Sequence, residues 1–305
     1  MATSGSDTNP GSLEQPFRSV SKALTLLAAG DTLVLRGGEY VENVNVKPAK
    51  GTTAQPITVT GYPGERPVIR GLFWLSGADY WVIDGINVTW LDGTSSSNHM
   101  VKMSGGNGWI IRNCEFWGAH SYAELLISGG ATNFYVGYNT MHDTYPSNAT
   151  NQDHLIYANN AISGVIERNL LYNSPNGRAI KVGSTSSNVD YPRQITIRYN
   201  TMFNNLGPSN IQFSYAANNN QAYRNILEKP DIGEYNITSS SLTGPNNNTA
   251  YENIGWESAG VVEPGAAGLI DSGGNQQFDP QLNNPSSGDF APQNNAALPY
   301  GRLAP

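Results

Sequence analysis

Short apolar segments alternate with polar spacers along most of the chain, and one phrase recurs: an apolar residue, two spacers, then asparagine. It reads Ile110-Ile111-Arg112-Asn113, Val136-Gly137-Tyr138-Asn139, Ile166-Glu167-Arg168-Asn169 and Ile197-Arg198-Tyr199-Asn200, with weaker copies ending at Asn225 and Asn253. These asparagines fall 25 to 31 residues apart, with β-type segments and no helical period between them. That spacing predicts a solenoid of stacked coils. A sandwich has no reason to hold an asparagine in register over six successive hairpins.

Asparagine suits a sharp corner because it tolerates the left-handed backbone region, and its amides can bond in a ladder from coil to coil. Ile110, Val136, Ile166 and Ile197, three before each Asn, and Met141, Leu171, Met202 and Leu227, two after, read as core positions. A second strand aligns as Val101-Lys102-Met103, Leu125-Leu126-Ile127, Leu155-Ile156-Tyr157, Ile180-Lys181-Val182 and Ile211-Gln212-Phe213. Its middle residues, Lys102, Leu126, Ile156, Lys181 and Gln212, would form one outer column. Met100, Glu124, His154, Ala179 and Asn210 would form another beside it.

The connection from Asn139 to His154 is the longest of its kind, so His142–Asp153 reads as an insertion, and Ser184–Gln194 as a second. Both would border the same sheet and make a groove. Upstream, Pro16 is expected to open a helix with Phe17, Val20, Ala23, Leu24 and Leu27 on one stripe and Gly30 past its end. Such a helix would cap the open end of the stack. Residues 1–30 thus read as an opening segment and cap, 31–257 as coils and 258–305 as a closing segment of one domain.

Charged residues make up only 13% of the chain, which suits a β-rich extracellular protein; the net charge of −7 argues against nucleic acid and leaves room for a divalent cation. The single cysteine, Cys114, excludes an intramolecular disulfide and reads as a core thiol. No apolar run is long enough to span a membrane. The Met-Ala start before Thr3-Ser4-Gly5-Ser6-Asp7 is what remains where a leader has been replaced by an initiator methionine. Secretion from a bacterium is therefore the expectation.

The opening Gly5-Ser6-Asp7-Thr8-Asn9-Pro10-Gly11 with Pro16-Phe17, the stretch Ala28-Ala29-Gly30-Asp31-Thr32-Leu33 and the closing Asp279-Pro280 and Gly288-Asp289-Phe290 resemble the ends of secreted β-helix proteins. Nearly all of the chain resembles the right-handed parallel β-helix (pectate-lyase-like) superfamily. The resemblance implies an all-β, single-stranded right-handed parallel β-helix with an N-terminal capping helix. It also implies a carbohydrate-active protein, either a lyase using a Lys or Arg base, often with Ca²⁺, or a hydrolase, an epimerase or a shaft without activity. No acidic Ca²⁺-binding cluster stands out in the sequence.

All four histidines, His99, His120, His142 and His154, lie between residues 99 and 154. Folding the repeat stacks His154 on Glu124, about 5 Å away by coil spacing, and sets Lys181 about 8 Å from His154. A carboxylate there would raise the pKa of His154, and Arg178 beside Lys181 would push the lysine towards its neutral form. β-Elimination from a uronic acid needs a neutraliser for the carboxylate, a base for the C5 proton and an acid for the leaving oxygen. Arg178 or a cation fits the first role, Lys181 or His154 the second, Tyr122 or Tyr145 the third. Glu124, His154, Arg178 and Lys181 are the expected catalytic set; His120, Tyr122, His142, Tyr145, Lys102 and Gln212 are expected to bind substrate. The substrate would be an acidic polysaccharide or oligosaccharide acted on by a monomer. A glycosidase would need Glu124 paired with Asp143 or Asp153. A sugar-binding shaft would rest on aromatic wealth, 6 Trp and 16 Tyr, although Phe116, Tyr172, Phe203 and Trp256, three after the repeated Asn, recur in register and read as stacked structure, not as a binding strip.

Overall fold

The computed structural model describes residues 1–145, 153–184, 192–231, 233–241 and 246–305. The chain winds as a right-handed parallel β-helix with three walls. The first wall runs in ten strands from Thr32–Leu35 to Leu269–Asp271 and the second in ten from Gly38–Val41 to Gln276–Gln277. The third has nine, from Val44–Val46 to Gly260–Val262, among the described residues. All wall pairings are parallel and in coil order; for example Ile111 pairs with Val136, Val136 with Ile166, and Ile166 with Ile197. Wall strands therefore continue beyond residue 257.

Alternation along each strand sends one side chain inward and the next outward. Met141, Leu171, Met202 and Leu227 are fully buried in the core. So is Ile111, and here the repeat read from the sequence shifts by one in a single coil. Ile111 occupies the core position assigned above to Ile110, and Phe116 pairs with Met141 inside, leaving Trp117 on the outer column.

The reason is at the corner between the first and second walls. An amide ladder runs from Asn139 through Asn169, Asn200, Asn225 and Asn253 to Asn275, each side-chain amide donating to the next Oδ1 at 2.9–3.0 Å. Each Oδ1 also accepts the backbone N–H of the preceding ladder asparagine, as Asn200 does from Asn169 at 3.0 Å. Asn113 is not in this ladder. Cys114 holds the place: its backbone N–H donates to Asn139 Oδ1 at 3.0 Å, and its thiol lies 3.1 Å from the Arg112 carbonyl. Burial pushes that thiol up to about 12.

The ladder asparagines do not adopt the left-handed backbone themselves. The residue before each one does: Tyr138, Arg168, Tyr199, Arg224 and Glu252 have φ between 49° and 59°, as does Asn113 before Cys114, and Gly274 before Asn275 has φ 71°. Such backbones cost of order 1 kcal/mol or more for non-glycine residues. Here the amides on either side fix the corner, and the outward side chains stack, with Arg168 lying 5.1 Å from the Tyr199 ring centre. The corner geometry thus belongs to the position, and the ladder asparagine bonds the backbone groups that the turn leaves unpaired.

The N-terminal cap is shorter than the stripe from Pro16 to Leu27 suggested. The helix is Val20–Leu24, burying Val20, Ala23 and Leu24 against the Val44–Val46 strand. Residues 16–19 are held as a loop instead: Asn9 donates to the Pro16 carbonyl, and Asp7 accepts the N–H groups of Arg18 and Ser19. The Glu42 carboxylate, from the corner between the second and third walls, accepts from the helix N–H groups of Val20 and Ser21.

Candidate active site

The outer face of the third wall carries one continuous column: Trp74, Lys102, Leu126, Tyr157, Lys181, Gln212 and Thr238. Lys102, Lys181 and Gln212 stand where the sequence put them. Ile156 does not: it pairs with Leu125 and Ile180 in the core, and Tyr157 takes the outer position. Leu125 pairs with Ile156 at an offset of 31 residues but Ala131 with Ala161 at 30, so the turn after this strand is one residue shorter in the second coil, and alignment from either side of the strand gives a different register.

The second expected column fails for the same reason. Ala123, not Glu124, pairs with His154. Met100, Glu124, Ala179 and Asn210 are each wholly buried, and Leu155 fills the place expected for His154. Glu124 turns into the corner between the second and third walls. Neither carboxylate oxygen makes a hydrogen bond of full geometry; burial pushes its pKa well above the usual range, opposed by the nearby backbone of Ala119 and helped by the Asp143 charge. The expected stacking of Glu124 on His154 is therefore absent, and with it a carboxylate to raise the histidine's pKa. Burial, then Lys181 and Arg178, instead hold His154 well below its ordinary value.

Three of the four expected catalytic residues do come together. Arg178 lies one coil on from His154, its backbone N–H donating to His154 Nδ1 at 3.1 Å. That bond leaves the proton of the neutral ring on Nε2, which has no partner. Arg178 is 2% exposed; its Nε donates to Ser209 Oγ at 3.1 Å, and Thr238 Oγ1 donates to the same oxygen at 2.9 Å. Burial lowers the Arg178 pKa to about 10. Lys181 is partly exposed, with Nζ 5.2 Å from the Tyr157 ring centre. Burial, then the Arg178 charge, brings Lys181 down to about 8.

The expected binding residues scatter. Tyr122 is exposed beside this face, its ring 5.8 Å from His99, which burial lowers to about 4. Further along, Lys102 Nζ lies 5.1 Å from the Trp74 ring centre. His120 and Tyr145 stack at 4.0 Å, with Trp90 stacked on the other side of His120. His142 is on the second wall, stacked on Tyr172 and bonded to Glu115 and Asp143. Tyr157, Trp74 and Ser209 were missed, and His99 was noted only as one of the four clustered histidines. The first insertion lies largely, and the second mostly, outside the described residues, so the expected groove borders are not described.

Of the carboxylates a glycosidase would pair, Glu124 is buried in the corner, where the Asp143 charge acts on it, and Asp143 Oδ2 bonds to the second-wall His142. Asp153 is buried as well. The donor set around Lys181, two cationic side chains with a histidine, a glutamine and a serine, does not fit the oxygen-rich shell that Ca²⁺ requires. Among the described residues no three His, Cys, Asp or Glu side chains converge to hold a metal. No helix among them is long and apolar enough to cross a membrane.

Comparison with known proteins places this geometry. The uncharacterized protein YwoF of Bacillus subtilis is 42% identical over 71 residues, 23% of this chain and 15% of that protein. The pectate lyase PEL9 of Emericella nidulans is 28% identical over 102 residues, 27% of this chain and 25% of that protein. The matches thus span a quarter or less of those relatives' length. Among solved structures, pectate lyase Pel9A superposes with a TM-score of 0.60 at 16% identity, covering 90% of this chain and 78% of that one. The complex of XylC with xylose gives 0.66 at 14% identity, covering 92% and 70%. A family model described as Pel9A-like, right handed beta helix region, matches residues 1–153, and the chain belongs to that family.

Proposed function

We propose that this protein is a secreted lyase that cleaves a uronate-containing polysaccharide by β-elimination on the outer face of the third wall. The observation that carries the reading is Lys181: a partly exposed lysine brought to about 8 by burial and by Arg178, on an outer column whose other charged residue is Lys102. A base for the weakly acidic C5 proton works best when its pKa lies near the working pH. In this reading neutral Lys181 takes that proton. The C5–H electron pair moves into the carboxylate and returns to form the C4=C5 double bond as the C4–O bond breaks with its pair on the leaving oxygen, giving a 4,5-unsaturated uronate. Arg178, buried beneath the face, acts through its field to stabilise the charge that grows on the carboxylate. The exposed hydroxyl of Tyr122 is assigned the proton for the leaving oxygen. Neutral His154 positions the Arg178 backbone, and Lys102 on Trp74 holds a uronate further along the chain. Because the donor set does not fit Ca²⁺, no step is routed through a metal. PEL9 and Pel9A, both described as pectate lyases, support the class.

The test is the ultraviolet absorbance of new unsaturated ends on a panel of uronate polymers, with and without EDTA. Wild type should produce the absorbance in both conditions, and Lys181→Ala should lower the rate by about 100-fold or more. New reducing ends without the absorbance would instead mark a hydrolase.

A further inference from the structure

The outer column of the second wall is aromatic over four coils, with Trp117, His142, Tyr172 and Phe203; then Glu228 and Trp256 succeed it. Glu228 therefore stands between two rings, one coil from each, at a spacing of about 4.8 Å. It is 9% exposed, and its Oε2 has no hydrogen-bond partner. The last stretch of the chain folds back to form the opposite lip, where Asp279 Oδ1 accepts the Gln281 N–H at 2.7 Å and fixes the turn. Between them lies an open pocket of about 570 Å³, lined among others by Glu228, Trp256, Asp279 and Gln281. That volume is within the range of about 300–1,000 Å³ usual for small-molecule sites.

Trp256 sets this pocket apart. The chain has six tryptophans, and five are engaged. Trp74, Trp81 and Trp109 donate to carbonyls, Trp90 stacks on His120 and Trp117 on His142. Trp256 is half-buried, and its indole has no hydrogen bond or ring partner among the described residues. Phe203 is covered by Lys229 and by Phe290. One open ring, one unsatisfied buried carboxyl and a lip of acceptors thus face a common space.

We propose that this pocket binds one unit of an uncharged saccharide, its ring stacked on Trp256 and its hydroxyls bonded to Glu228 and Asp279. Sugars present an apolar C–H face to aromatic rings, and carboxyl groups satisfy adjacent hydroxyls in pairs. Polyanions are disfavoured because Glu228, Glu257 and Asp279 face only Lys229. A bound metal is disfavoured because these carboxylates do not converge. Glu228 is held up to about 7, by burial first and then by Glu257 and Asp279, so its carboxyl can donate as well as accept at neutral pH. The site is on a different wall from Lys181, and it stands whether or not the third wall cleaves uronates. Its role would be to anchor the protein on neutral stretches of a matrix polysaccharide.

The experiment is calorimetric titration, with tryptophan fluorescence in parallel, using neutral xylo-, gluco-, galacto- and mannotetraose and an amino-sugar tetramer, with trigalacturonate as the anionic control. At least one neutral tetramer should saturate below about 10 mM and change the fluorescence. Trp256→Ala and Glu228→Ala should each weaken it tenfold or more, while Trp256→Phe restores most of the affinity and all variants keep wild-type circular dichroism. The proposal is overturned if no neutral tetramer saturates in that range, if Trp256→Ala binds as wild type does, or if trigalacturonate or the amino-sugar tetramer binds more tightly.

Discussion

The two corners that flank the second wall are built on opposite terms. At the first, between the first and second walls, every coil from Asn139 to Asn275 repeats the same left-handed residue followed by the same bonded asparagine. At the second, between the second and third walls, the equivalent places hold Ala119, Thr144, Ser174 and Asn205, connection lengths differ, and Glu124 and His154 sit buried without full pairing. A corner that repeats satisfies its backbone and carries no chemistry. One that varies leaves polar groups in a low dielectric, where their protonation shifts, and such shifts cluster at functional sites.

The largest effect that can break this comparison is Asn200→Ala. It removes the acceptor for Asn169 and the donor to the Ile166 carbonyl and to Asn225, all buried. At about 1–3 kcal/mol for each buried group left unsatisfied, unfolding in denaturant should show a loss of about 3–5 kcal/mol. Asn113→Ala loses an exposed bond to Asp84 and puts alanine at φ 55°, and should cost about 1–2 kcal/mol. Equal costs would remove Cys114 from the ladder.

Two groups at the second corner should leave opposite marks on the pH dependence of stability. Glu124 is raised above its unfolded value of 4.5, so the folded state holds the extra proton. Its stabilising effect is complete below pH 4.5 and is lost as pH rises, at about 1.4 kcal/mol per pH unit, up to the folded-state pKa. Glu124→Gln should abolish that slope. His154 is depressed below 6.5, so the unfolded state binds the extra proton and stability falls by about the same amount per unit as pH drops below 6.5. His154→Gln should flatten the acid limb alone. Melting curves from pH 4 to 9 read both. The smallest effect is Cys114→Asn, which completes the ladder and should stabilise by about 1 kcal/mol or less.

The contrast also explains what the sequence made legible. The solenoid, its period and the core positions beside Asn139 through Asn253 could be read because one backbone demand recurs in each coil. Cys114 hid the ladder in its coil, since sulfur took the place of an amide and Asn113 offered a false match one residue early. The candidate site was half legible. Lys102, Lys181 and Gln212 stand on strands whose alternation is unambiguous, whereas Glu124 and His154 follow a corner of variable length, where a one-residue slip exchanges inside for outside. Leu155 and Ile156 are both buried, so apolarity could not fix the register there. The cap helix shrank because Asp7 and Asn9 bonded residues that the apolar stripe had assigned to it.

The central claim is that Lys181 acts as the base, and the pH profile of kcat/KM for uronate cleavage tests it most directly. Neutral lysine is the working form, so the rate should rise with pH through a midpoint near 8, and the limb should vanish in the residual activity of Lys181→Ala. A profile that is flat from pH 6 to 9, or a limb unchanged in Lys181→Ala, would contradict it.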